Sequence, residues 1–551
     1  MTRFLYFNEM KDIKQIIQDI ASDALIEEKQ KLTVTVEPKQ ARPLIEGLRN
    51  NKELPFDYLI SLIGMDWGEK LGVIYQLSSS IDLTHEVVII TATTDRENPL
   101  LYSVSDLYET AHLNEREVYA LFGIRFINNP DMRRFLLDDD WKGFPFRKDY
   151  DENPDLNPVN VISKEIVDIA PQIIETADGN LVEREVPIFG ENDYIINIGP
   201  QHPSTHGVMH FRTSLDGEIV KKIDVHSGYI HRGIEKLCES MTYPQILHFT
   251  DRLDYLSANI NRHGLCMCIE KAGEIEVPQR AEYIRTIMDE LQRVSSHLLA
   301  WACQCNDLGA TTAFVYGMRE REHVLDIFDK TCGGRLIINQ NVVGGVMFDI
   351  YKDFQKDVKA FIPYMRQRLV EYDEFFSHNA IALGRMVNIG HLTKEQAISY
   401  GVTGPAGRAS GWSCDVRKYK PYSLYDKVEF KEIIRTEGDS YARYLNRLDE
   451  IEQSLRIIEQ LIDNIPEGDI CGKVKAVLRL PEGQFQSVET GKGEFGVFIE
   501  SHGDKSPYRV KLRSPSLSAV SVMPLTARGA LLSDLIGIAG SLDFVIPDID
   551  R

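Results

Sequence analysis

The stretch 151–190 constrains the fold of this chain more than any other feature. It opens on Asp151-Glu152-Asn153-Pro154-Asp155-Leu156-Asn157-Pro158, holds the turn sequence Ala177-Asp178-Gly179-Asn180 and is weakly apolar. Prolines and clustered Asn and Asp interrupt helical and strand periodicity alike. A chain of 551 residues also exceeds what one hydrophobic core supports. Separate cores are therefore expected on either side: a first domain over 1–150, a linker over 151–190 and a second domain over 191–551.

The first domain reads as α/β. Helical spacing puts Met10, Ile13, Ile16, Ile17 and Ile20 on one face. Alternation at Leu32/Val34/Val36 and Val73/Tyr75/Leu77, then the apolar run from Val87 to Ile90, predicts strands, and Leu107 to Phe122 predicts a helix. The second domain starts with strand-like segments at Tyr194–Ile198, Gly207–Thr213 and Glu218–Val225. Its clearest helix runs from Arg280 to Trp301, with Ile284, Ile287, Met288, Leu291, Val294 and Leu298 on one face. Further helices are expected at Arg319–Cys332, Asp357–His378 and Tyr441–Ile465, and strands near Gly496–Glu500 and Tyr508–Leu512. The expected class is α+β: an α/β scaffold domain, then a mainly helical domain with small β-sheets.

Basic residues number 62 against 83 acidic ones, a net charge of −21 that argues against nucleic acid as a partner. No apolar run approaches the ~20 residues needed to span a bilayer. Met1-Thr2-Arg3-Phe4, followed by Asn8, Glu9 and Asp12, matches neither a secretory nor a transit peptide, so folding in the cytoplasm is expected. The eight cysteines form no Cys-x-x-Cys pair. They are expected as buried small hydrophobes, with no metal site and no iron–sulfur cluster held by this chain.

Three places could carry chemistry. Gly199-Pro200-Gln201-His202-Pro203-Ser204-Thr205-His206-Gly207 is a shaped turn presenting two imidazoles. It reads as a proton-carrying tip, as histidines that only hydrogen-bond neighbours, or as a weak metal pattern. Tyr255, within Asp251-Arg252-Leu253-Asp254-Tyr255, reads alone as a core tyrosine. Asp307, directly after the long helix, reads alone as a helix-terminus or turn carboxylate.

Several long motifs in one order change that balance. Gly199 to Gly207, Gly228-Tyr229-Ile230-His231-Arg232-Gly233-Ile234-Glu235-Lys236-Leu237, Asp251 to Tyr255 and Gly540-Ser541-Leu542-Asp543-Phe544 resemble the D subunit of respiratory complex I. Glu115-Arg116-Glu117 with Phe122-Gly123-Ile124, and the run from Asp140 to Tyr150, resemble its C subunit. The whole is similar to the fused C/D subunits of bacterial complex I. The D part also resembles the large subunit of nickel–iron hydrogenases, in which Asp-Arg-x-Cys-x-x-Cys and a terminal Cys-x-x-Cys bind the metal. Here Asp254, Ser257, Val545 and Asp548 stand at those thiolate positions. Without soft ligands a nickel–iron centre cannot be built.

The resemblance implies a quinone headgroup, of ubiquinone or menaquinone, gripped by Tyr255 and His206, with Asp307 as partner of His206. It implies that His202 shapes the loop and that Arg232 lies near the terminal iron–sulfur cluster of the neighbouring B subunit. The implied partners are the B, I and membrane-arm subunits of a proton-pumping NADH (or ferredoxin):quinone oxidoreductase on the cytoplasmic side of the bacterial inner membrane. There are departures from the family pattern. Ile337 stands where a His near the cluster is common, and Leu113, Ala120 and Asn129 replace common residues in the scaffold. Rival readings are a hydrogenase-like subunit of a membrane-bound complex, which the missing cysteines oppose, and a structural adaptor without quinone. Gly401, Gly404 and Gly407 have the wrong spacing for a dinucleotide fingerprint.

Overall fold

A computed structural model describes residues 13–15, 17–22, 24–28, 31–84, 87–153, 167–202 and 205–551. Met10 and Ile16 of the expected first helix lie outside them, while 13–15 and 17–20 are helical. The chain divides into two units: Met1–Asp193 with Ile398–Gly401, and Tyr194–Ala397 with Val402–Arg551.

In the first unit, strands β1 (Leu25–Glu28), β2 (Leu32–Val36), β3 (Tyr58–Asp66), β4 (Lys70–Ser78) and β5 (Val88–Asp95) form a sheet in the order β1-β2-β5-β4-β3. β2 and β5 run parallel, and the other neighbours are antiparallel. β2 alternates buried and half-buried residues, as its sequence predicts. β3 is buried along its whole length, so it carries no alternation to read. The helix Pro38–Arg49 packs Leu44, Ile45 and Leu48 into this core.

The helix expected from Leu107 begins at Thr110 and ends at Phe122, capped by left-handed Gly123. Its Glu115 is fully buried and accepts from Ser103 Oγ at 2.7 Å, Val104 N at 2.8 Å and Asn129 Nδ2 at 2.7 Å. Burial still pushes the carboxyl up to about 7. Asn129 thus holds a scaffold carboxylate. The stretch read as a linker carries a hairpin, Ile169–Glu175 against Leu181–Pro187. Asn128 N donates to Ile173 O at 2.7 Å and Met132 N to Pro171 O at 2.9 Å, tying the hairpin to the first unit. Its second strand is exposed almost throughout, which removes the apolar alternation that would mark a strand.

The second unit opens with a three-stranded antiparallel sheet, His210–Asp216 lying between Tyr194–Ile198 and Ile219–His226. The segment expected as one strand from Gly207 to Thr213 breaks at Met209. Gly207–Val208 instead pairs with Gln201–His202. The long helix spans Gln279–Asp307, so Asp307 is its last residue. Phe354–Tyr372 stops earlier than expected and passes into a π-helical turn, Asp373–Ser377.

The polar side of the long helix is also buried, with Arg285, Asp289, Glu290, Arg293 and His297 each 0% exposed. Each is paired. Arg285 meets Glu270 at 2.6 Å, Asp289 meets His263 at 2.6 Å, Glu290 meets Arg417 at 3.2 Å and His297 meets Glu450 at 3.0 Å, while Arg293 donates to Glu489 O at 2.7 Å. A helix whose sequence shows one apolar face is therefore central, its charges paired inside the unit.

Candidate active site

The loop from Gly199 to Gly207 is built by close approach. A Cβ on Gly199 would lie 1.9 Å from Met209 O, and one on Gly207 would lie 2.6 Å from Ile546 Cγ1. Both glycines have positive φ, 95° and 152°, which side chains avoid. His206 between Thr205 and Gly207 takes the left-handed φ of 52°, uncommon for a residue with a Cβ. Pro203 and Ser204 lie outside the described residues, and His202 is exposed.

His206 Nε2 lies 3.1 Å from Asp307 Oδ1, with 35% of the imidazole side chain and 5% of the aspartate exposed. The loop thus meets the C-terminus of the long helix, where a positive group is favoured. The hydrogen bond to Asp307 raises the His206 pKa, burial opposes it, and the charges of Asp307 and Asp543 add to the rise. An imidazole whose pKa rises on folding binds its proton more tightly in the native state. Its stabilisation is complete below the ordinary 6.5 and disappears as pH rises through the elevated native value. Asp307→Asn removes the main cause. In a pH titration followed by NMR, the His206 midpoint is expected to fall in that variant; an unchanged midpoint would contradict the pairing.

Tyr255 is half-buried in the turn before helix Ala258–Ala272. Its hydroxyl pKa is raised chiefly by burial, with Lys492 opposing and Asp254, Cys303 and Asp543 reinforcing. Lys492 sits in the tight turn between strands Gln484–Glu489 and Glu494–Glu500. Its Nζ is 3.3 Å from Asp543 Oδ2, 3.7 Å from Asp254 Oδ2 and 3.4 Å from Ser296 Oγ. Asp543 caps helix Leu532–Leu542 in the left-handed conformation and has Arg447 Nε 3.8 Å away. The charge of Asp543 raises the pKa of both His206 and Tyr255, in each case as the smallest contribution.

The last residues of the sequence fold inward. Asp550 accepts from Gly228 N at 2.9 Å and Ile230 N at 3.0 Å, fixing the segment that presents exposed Arg232. Arg551 donates to Leu512 O at 2.7 Å beside Glu235. Asp548 is buried and accepts from Ser514 Oγ at 2.6 Å. Its pKa is raised by burial and then by Asp254; Asp254 and Asp548 are two of the positions at which the resemblance to hydrogenases expects thiolates. The third, Ser257, has a buried hydroxyl without a hydrogen-bond partner.

The chain is 58% identical to the fused C/D subunit of the NADH-quinone oxidoreductase of Phocaeicola vulgatus over 506 residues, 92% of this chain and 96% of the relative. The chain belongs to the NADH-quinone oxidoreductase C/D family. Another member, from Bacteroides thetaiotaomicron, is 56% identical over 92% of this chain and 97% of its own length. The D subunit of the NADH-quinone oxidoreductase of Geobacillus kaustophilus is 44% identical over 360 residues, 65% of this chain and 98% of that relative. The two parts of such a fused chain match separate families. Residues 34–155 match the 30 Kd subunit of respiratory-chain NADH dehydrogenase, and residues 307–484 and 473–551 match its 49 Kd subunit.

Within this C/D fusion, no helix of the described residues is long and apolar enough to cross a membrane. Among those residues no group of three or more His, Cys, Asp or Glu side chains is placed to hold a metal ion. All eight cysteines are free thiols. Cys303, though, is half-buried beside Asp543, Asp307 and Lys492, with its thiol pushed up to about 12. Sequence reasoning singled out neither Lys492 nor the reach of Asp543 to both arms. The available signals were a lysine between two glycines and an aspartate inside the motif Gly540 to Phe544.

Proposed function

We propose that this C/D fusion forms the quinone-reduction site of a complex I peripheral arm, with His206 and Tyr255 as the groups that touch the quinone carbonyls. The observation that carries the reading is the His206–Asp307 hydrogen bond of 3.1 Å. Reducing a quinone to a quinol takes two electrons and two protons. An imidazolium held by a carboxylate and a neutral phenol can supply the protons locally. In this reading the electrons arrive from an iron–sulfur cluster of the neighbouring B subunit, close to Arg232, and His202 shapes the loop.

The I subunit and the membrane-arm subunits complete the proposed assembly, peripheral on the cytoplasmic side of the inner membrane. Entry of the lipid-soluble quinone requires the site to open toward those partners. A photoreactive quinone analogue should label the segments 199–209 and 251–257 in the intact complex, with protection by excess quinone. Labelling confined to other subunits would remove the basis of the reading.

The half-exposed segment Gly333-Gly334-Arg335-Leu336-Ile337 places a group that cannot titrate at position 337. The midpoint potential of the neighbouring cluster is therefore expected to fall far less steeply with pH than the ~59 mV per unit of a one-electron, one-proton couple. Redox titrations from pH 6 to 8 decide this; a full slope would contradict it.

A further inference from the structure

The Tyr255 arm contains a buried cation with no role in the reading above. Lys492 has 2% of its side chain exposed, and its ammonium lies between Asp543 Oδ2 at 3.3 Å and Asp254 Oδ2 at 3.7 Å. The two carboxylates come from different parts of the chain, one beside Tyr255 in sequence and the other at the end of helix Leu532–Leu542. Arg447 Nε stands 3.8 Å from Asp543, so a second cation adjoins the pair, and Asp254 directly precedes Tyr255 in the sequence. A pure salt-bridge role needs no phenol nearby, yet the field of Lys492 reaches Tyr255. The Tyr255 hydroxyl donates to none of the described residues.

We infer that Lys492 is a positioning residue for proton delivery: its ammonium, clamped by Asp254 and Asp543, stabilises the phenolate that Tyr255 becomes when it gives its proton to the quinone. The inference rests on the reading of Tyr255 as proton donor. In that step the Tyr255 O–H bond breaks and its proton goes to one quinone oxygen. The second proton comes from His206, and the two electrons come from the iron–sulfur cluster of the neighbouring subunit. A phenolate in a buried site without a fixed cation is strongly disfavoured, whereas a cation already in place needs no reorganisation as the charge develops. Asp254, Asp543, Cys303, Arg321 and Arg447 also face this space. Of the two anions, Asp254 opposes formation of the phenolate most directly.

The test uses the intact membrane complex and quinone-dependent turnover. Lys492→Met is expected to lower kcat about tenfold with KM within about twofold, and to enlarge the solvent deuterium isotope effect on kcat. Lys492→Arg keeps the charge and should recover most of the activity. In a Tyr255→Phe background, Lys492→Met should cost less than about twofold more, because its effect passes through the phenol. Should Lys492→Met fail to assemble, Lys492→Gln, which removes the charge but can still hydrogen-bond Asp543, is read in the same two backgrounds with the same expected outcome. An inactive Lys492→Arg in an assembled complex, or a full penalty for removing the Lys492 charge in the Tyr255→Phe background, would each overturn the inference. Unchanged turnover in Tyr255→Phe itself would instead remove the reading beneath it.

Discussion

Replacing Tyr255 with phenylalanine is expected to lower quinone-dependent turnover of the assembled complex by about a hundredfold, the usual worth of a well-placed proton donor. The ring and its packing are kept. The lost hydroxyl donates to none of the described residues, so no internal partner is left unsatisfied. Stability should therefore change by less than about 1 kcal/mol, as for other substitutions that break no internal contact. Turnover and assembly are measured separately, by quinone-dependent oxidation of the electron donor and by subunit content of the purified complex. Lost turnover with intact assembly is the expected pair; unchanged turnover would refute the role of Tyr255.

The second large effect falls on stability. Arg408 is fully buried and donates to Glu489 Oε1 at 2.7 Å and Glu450 Oε1 at 2.8 Å. Glu450 is held below the usual carboxylate range by Arg408 and His297, against a large opposing burial cost. Arg408→Met leaves Glu489 and Glu450 buried without their shared cation, with Glu450 keeping only His297 and Glu489 the Val416 N–H, which costs about 3–5 kcal/mol for a buried pair broken on one side. A melting transition lowered by roughly 5–10 °C follows for a domain of this size. A change of less than about 1 kcal/mol would show that water or a neighbouring cation replaces the guanidinium. Because Glu489 directly precedes the turn carrying Lys492, lost stability should be accompanied by lost turnover.

Local pattern made the regular elements legible and left the site dispersed. The apolar stripe from Ile284 to Leu298 announced a helix, and the structure extends it to Gln279–Asp307. The same stripe gave no hint that Asp289, Glu290 and Arg293 are buried too, because their partners, among them Arg417 and Glu489, arrive from far along the chain. Tyr58–Asp66 escaped notice since a strand buried on both faces has no alternation. His206 and Asp307 lie 101 residues apart, and no spacing rule links them; only the resemblance of whole motifs did. Lys492, in Gly491-Lys492-Gly493, carries no local sign of burial. Its burial depends on Asp254 and Asp543 approaching from two other segments, which is a tertiary fact.

The most direct test of the whole account is an electron cryo-microscopy structure of the intact complex with a quinone or headgroup inhibitor bound. The account predicts the headgroup between the His206 imidazole and the Tyr255 hydroxyl, each within hydrogen-bond distance of a carbonyl oxygen, with Asp307 still on the far side of the imidazole. A headgroup lodged elsewhere, or a phenol and imidazole opening into different cavities, would contradict it.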